Sequence, residues 1–187
     1  MYKVFQLYFG RESKSTLKQR QNFGRSISAT ESVLKRTFER KSFFPIQEYL
    51  DQEMKYRITT GFLEKFLEIT SEYQDFFSRF QRGEFCISVP TPGYQFDKVI
   101  IRGSYLVDTE ENRMIIPVYG TSDNPKEEFS IFYALCNHFS ETAIQNSIET
   151  FDYWDLSKAE IQSSPIMELR EISIDSLRPV FNRLAAS

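Results

Sequence analysis

The stretch GFLEKFLEITSEYQDFFSRFQRGEFCISVP, residues 61–90, decides the fold class, because the spacing of its apolar residues changes partway through. Phe62, Phe66, Ile69, Tyr73, Phe76, Phe77 and Phe80 recur at three- and four-residue steps, the spacing of one buried helical face. Thr59 or Thr60 is placed to cap this helix, and Gly83 to stop it where a left-handed residue is wanted. From Glu84 to Val89 the period becomes two, the signature of a strand. Helices should therefore precede a sheet.

Upstream, Ser28-Ala29-Thr30-Glu31 has the form of a capping box, with Val33, Leu34 and Phe38 following at helical spacing to about Lys41. Pro45 suits the first turn of a second helix carrying Ile46, Tyr49, Leu50, Met54 and Ile58. Before these, Tyr2–Phe9 reads as an aromatic strand, and Gly10–Ile27 lacks apolar periodicity and reads as an arm. Downstream, the loop Pro90–Gly93 leads to a long strand, Phe96–Val107. A hairpin loop at Asp108–Asn112, a strand at Met114–Tyr119, a turn at Thr121–Pro125 and a strand at Glu128–Asn137 complete an expected antiparallel meander. Ser140 is placed to cap a helix through Ala143, Ile144, Ile148 and Phe151. An acidic connection holds Tyr153 and Trp154, and a second capping-box pattern spans Ser157–Glu160. A strand at Ile166–Ile174 and a terminal helix with Leu177, Phe181 and Leu184 finish the chain. The expected class is α+β: N-terminal helices packed on an antiparallel β-meander, with a C-terminal strand and helix. The expected organisation is a basic strand and arm over residues 1–27 and a single domain over 28–187.

Composition narrows the function classes. The 187 residues include 18 Phe and 10 Tyr but only 7 Gly, 2 Cys and 1 His. Glycine is too sparse for a phosphate-cradling loop, and neither P-loop nor dinucleotide-binding spacing occurs. Two cysteines and one histidine cannot assemble a usual zinc site or a disulfide framework, so no metal and no cofactor is expected. No apolar run reaches the length needed to cross a bilayer, and a cytoplasmic location is the expectation. The alternative is that Met1–Ser28, rich in Lys, Arg and Ser, is a transit segment.

Charge is distributed unevenly. Residues 1–41 hold ten basic against three acidic residues, +7, whereas the other 146 hold 13 basic and 23 acidic, −10. Arg11, Lys14, Lys18, Arg20 and Arg25 in the arm, with Lys35, Arg36 and Arg40 on the first helix, form a candidate surface for nucleic acid phosphates without sequence readout, or for an acidic protein partner. Phe23 is a candidate for base stacking. The leading reading is thus a non-enzymatic accessory protein that works by binding.

The alternative is a cone-like pocket that binds a small ligand or carries modest chemistry. Cys136 and His138, two apart on an expected strand, would share a face, and an imidazole beside a thiol raises the thiolate fraction. Arg102 and Ser104 would add inward polar groups opposite Tyr105. The competing reading of the pair is a buried small cysteine and a strand-end histidine.

Overall fold

A computed structural model describes residues 17–53, 56–94, 96–120, 124–139 and 148–186. The expected strand Tyr2–Phe9, Arg11, Lys14, Met54, the Ser140 cap, Ala143 and Ile144 lie outside the described residues. In chain order the elements are α1 (Leu17–Glu39), α2 (Phe44–Leu50), α3 (Arg57–Thr70), the single turn α4 (Phe76–Arg79), β1 (Phe80–Pro90), β2 (Lys98–Asp108) and β3 (Arg113–Val118). There follow α5 (Pro125–Phe139), β4 (Thr150–Asp155), β5 (Glu160–Pro165), a 3-10 turn (Ile166–Glu168) and α6 (Ile174–Ala185). Among the described residues five strands form one sheet in sequence order, antiparallel except for β3 against β4, which run parallel with α5 as the crossover. The fold is α+β, helices first, then a mostly antiparallel sheet and a terminal helix.

Alternation along the strands sends side chains to two faces, and both are covered. Phe85, Ile87, Ile101, Met114, Ile116, Phe151 and Tyr153 pack against Phe129, Phe132 and Leu135 of α5 and Leu177 and Phe181 of α6. Phe80, Leu106, Ile115 and Trp154 pack on the other side against Val33 and Leu34 of α1, Ile46 of α2, and Phe62, Leu63 and Phe66 of α3.

Several elements differ from the sequence expectation, each for a local reason. Residues 17–27 are helical, continuous with α1, and the Ser28–Glu31 pattern sits mid-helix. The buried stripe of α1 is partly hydroxylic: Ser26, Thr30 and Thr37 are buried and donate to the carbonyls of Asn22 (3.0 Å), Ser26 (2.8 Å) and Val33 (2.9 Å). Such a stripe has no apolar periodicity to detect, yet its polar groups are satisfied within the helix. Thr59 donates to the Ser26 carbonyl (3.2 Å), so these small side chains let α3 approach α1 closely. The aromatic helix breaks after Thr70, turns through a left-handed Asp75 (φ 50°), and becomes strand at Phe80. Its stripe remains core: Phe62, Phe66, Ile69, Phe76 and Phe80 are all buried.

The expected strand at Glu128–Asn137 is instead α5. Phe129, Phe132, Leu135 and Cys136 fall at helical steps and are buried together against the sheet. Phe151, Tyr153 and Trp154 belong to the interior strand β4, neither a helix nor a connection. Ser157–Glu160 is the turn into β5, where Asp155 accepts from the Ser157 amide (2.8 Å) and hydroxyl (2.5 Å). The last strand is Glu160–Pro165, ahead of the expected Ile166–Ile174, which forms the 3-10 turn and extended chain.

The β1–β2 hairpin contains two glycines that aromatic rings occupy from the opposite strand. A Cβ on Gly103 would lie 2.4 Å from the Phe85 ring, and one on Gly83 2.3 Å from the Tyr105 ring. Phe85 is buried against Phe132 (centroids 5.1 Å apart) and has no room to swing away, whereas Tyr105 is half-buried. Gly103→Ala should therefore destabilise the fold by about 1–3 kcal/mol, the usual cost of overpacking, and Gly83→Ala by less. Thermal unfolding followed by circular dichroism ranks the two; equal melting temperatures would contradict this order.

Candidate functional site

Helix α1 positions the described part of the basic surface. Positions 18, 21, 25, 28, 32 and 35 follow three- and four-residue steps and are exposed throughout: Lys18, Gln21, Arg25, Ser28, Ser32 and Lys35. This row spans roughly 26 Å at 1.5 Å per residue. The one acid of α1 ahead of Glu39 is turned away from the row. Glu31 accepts from Ser104 (2.6 Å), from Arg82 (3.1 Å) and from the Tyr119 hydroxyl. Burial, then the adjacent Glu31 carboxylate, pushes the Tyr119 phenol well above its usual range. The outer row is thus left with cations and neutral polar groups.

Not every expected cation is free. Lys35 pairs with Glu84 (3.6 Å) and Arg36 with Glu48 (4.0 Å). Arg82, then Lys35, holds the Glu84 carboxyl below its ordinary value. Lys18, Arg25 and Arg40 are exposed and form no ion pair among the described residues. Arg20 also lies in α1. Phe23 is no stacking platform, because its ring packs edge-on against Phe62 (6.1 Å).

The structure separates Cys136 from His138. Both sit on α5, where two residues are about 200° apart, so their side chains leave on opposite sides. Cys136 is buried, and burial pushes its thiol up to about 12. His138 is exposed, with its ring on Phe139 (4.6 Å). A thiol so disfavoured as thiolate, with no imidazole in reach, is not an activated nucleophile. Nor do Arg102 and Ser104 join them: they lie on the α1 side of the sheet, and α5 is on the other.

The sequence reading missed a buried ion network on the α1 side, at the start of β3. Asp108, whose side chain is fully buried, accepts from Arg79 Nε (2.9 Å) and Nη2 (2.7 Å) and from Arg113 Nη2 (3.0 Å). Its Oδ1 also accepts the Glu110 amide (3.1 Å). Arg113 reaches on to Asp152 (3.0 Å) and Glu111 (2.9 Å). Burial pushes the Asp152 carboxyl up, and Arg113 only partly offsets it. Glu110 and Glu111, in the turn between β2 and β3, both pair with Arg79. Only folding brings these residues together, and no local spacing announces them. Among the described residues no group of His, Cys, Asp and Glu is arranged to hold a metal ion, and no helix is long and apolar enough to cross a membrane.

Comparison with known proteins returns no matching family model, no matching curated protein and no matching solved structure. What the fold and surface define is a class: an α+β domain with a long cationic helix laid across one face of its sheet.

Proposed function

We propose that this protein is a non-enzymatic accessory factor that binds nucleic acid through phosphate contacts, without reading sequence, along the exposed row of α1. One observation carries the reading: Lys18 and Arg25 share an exposed helical row that ends at Lys35 beside Glu84, while Glu31, the acid that would neutralise the row, is engaged by Arg82, Ser104 and Tyr119. The rest of the chain carries −10, so a polyanion is repelled elsewhere and held to this surface. Arg11 and Lys14, outside the described residues, would extend the same contact. Cys136 and His138 do not meet, so the Cys/His chemistry of the pocketed alternative has no geometric support.

Fluorescence anisotropy of labelled single- and double-stranded oligonucleotides, titrated with salt, tests the proposal. Binding should weaken steeply with salt and be indifferent to base sequence. Lys18→Glu and Arg25→Glu should each weaken it uniformly and lower the salt slope by about one. Absence of binding at low salt, or full binding by the double variant, overturns the reading.

A further inference from the structure

Among the described residues the outer edge of β1 is open, and its groups point away from the sheet in a definite order. At one end of the β1–β2 pair the Thr91 amide donates to the Asp97 carbonyl (2.8 Å), and at the other the Thr109 amide donates to the Arg79 carbonyl (3.1 Å). With the observed register, odd-numbered residues of β1 turn their N–H and C=O groups toward β2. The even-numbered Arg82, Glu84, Cys86 and Ser88 turn theirs outward, and among the described residues β1 has no second neighbour in the sheet. Eleven residues is a long edge to leave open, against six in β5 at the opposite side.

Cover over this edge is uneven. Over its first half, α1 lies beside the strand: Glu31 meets Arg82 and Lys35 meets Glu84. A groove of about 690 Å³ opens there between Lys35 and Phe38 of α1, Lys41 just after it, and Phe77 and Phe80. Over the second half no described residue covers the same face. Cys86 and Pro90 are exposed, as are Ile100 and Arg102 on the neighbouring strand. The hairpin tip adds two more exposed rings, Tyr94 and Phe96.

We propose that β1 pairs edge to edge with β1 of a second copy of this chain, antiparallel about Phe85, joining the two sheets into one. This register pairs all eleven residues and sets Arg82 opposite Ser88 and Glu84 opposite Cys86, so no like charges face each other. It also matches the uneven cover. The α1 overhang of each copy lies over the bare half of the other strand, beside Ile100, and each hairpin tip brings Tyr94 and Phe96 to the groove floored by Phe77. Pairing about Glu84 instead would oppose two carboxylates, and pairing about Gly83 would set one α1 overhang against the other.

Light scattering coupled to size-exclusion chromatography tests this on the full chain. The expected mass is twice 22.1 kDa. Ser88→Pro removes one outward N–H per copy and leaves the ladder to β2 intact, so it should raise the dimer dissociation constant roughly tenfold or more while the circular dichroism spectrum is kept. Cys86→Lys, at an exposed side chain, should have the same effect without touching the backbone. In this register the two Cys86 residues are diagonal neighbours, within reach of a bismaleimide spanning about 8 Å. Cys136 is buried, so the cross-link should map to Cys86 alone. A monomer at every concentration, a dimer that survives both variants, or a dimer that does not cross-link at Cys86 overturns the proposal.

Discussion

Asp108→Ala should cost about 3–5 kcal/mol of folding stability, the range for removing one partner of a buried charge network. Asp108 is fully buried and is the acceptor that Arg79 and Arg113 share, with the Glu110 and Glu111 amides closing on its Oδ1. Without it, two guanidinium groups only 16% and 17% exposed keep Glu110, Glu111 and Asp152 as partners but lose their common centre. Urea unfolding followed by circular dichroism should show a large fall in midpoint. A loss within about 0.5 kcal/mol, as expected of a surface substitution, would show that the network does not hold the β2–β3 turn.

The acid limb of stability carries the same signature. Burial raises the Asp108 carboxyl, but hydrogen bonds from Arg79, the Glu110 amide, Arg113 and the Glu111 amide outweigh it and hold it below its ordinary 3.8. A carboxyl depressed by folding contributes stability that is complete above the unfolded value and is lost as pH falls through the folded one. Asp108→Asn should therefore flatten the decline of stability below about pH 4. Asp152 works in the opposite sense. Its carboxyl is raised above 3.8, chiefly by burial, so it subtracts stability as pH rises through that window. Its Oδ1 has no hydrogen-bond partner, and Asp152→Asn should cost much less than Asp108→Ala.

The helix-before-sheet order was legible because Phe62 to Phe80 and Glu84 to Val89 carry different periods, and the stripe proved to be core. Legibility failed where two periods coexist or where none is visible. In α5, Phe129, Ile131, Tyr133 and Leu135 alternate like a strand, while Phe129, Phe132, Leu135 and Cys136 step like a helix. Residues 129–136 contain both patterns, and the packing of α5 as the crossover between parallel β3 and β4 selects the helix. In the first part of α1, residues 17–27, the buried position is the hydroxyl of Ser26 and no apolar stripe is visible, so that part of the helix read as an arm while the rest was legible from Val33, Leu34 and Phe38. The cations of the candidate surface were readable one by one, since each is a local fact. The inward turn of Glu31 was not, because Arg82, Ser104 and Tyr119 lie 51, 73 and 88 residues away.

Trp154→Ala is expected to cost about 3–5 kcal/mol, as large aromatic truncations in cores do. Trp154 is fully buried in the interior strand β4 and touches aromatic rings from three segments. Tyr73 stacks on it (5.8 Å, 20°), Phe80 meets it edge-on (5.6 Å), and Phe66 of α3 lies 6.1 Å away. The indole is thus where the sheet, α3 and the turn before α4 are joined. Tyr73 carries the effect outward, because its ring also lies under the Arg79 guanidinium (5.2 Å), which grips Asp108. Trp154→Phe separates volume from polarity. The indole Nε1 is buried without a hydrogen-bond partner, so phenylalanine removes an unsatisfied donor while keeping most of the ring stacking. It should recover more than half of the stability lost in the alanine variant. The chain has a single tryptophan, so both variants must be followed by circular dichroism rather than fluorescence. Equal losses in the two variants would mean that Nε1 has an acceptor after all and that the indole is held by polarity rather than by packing.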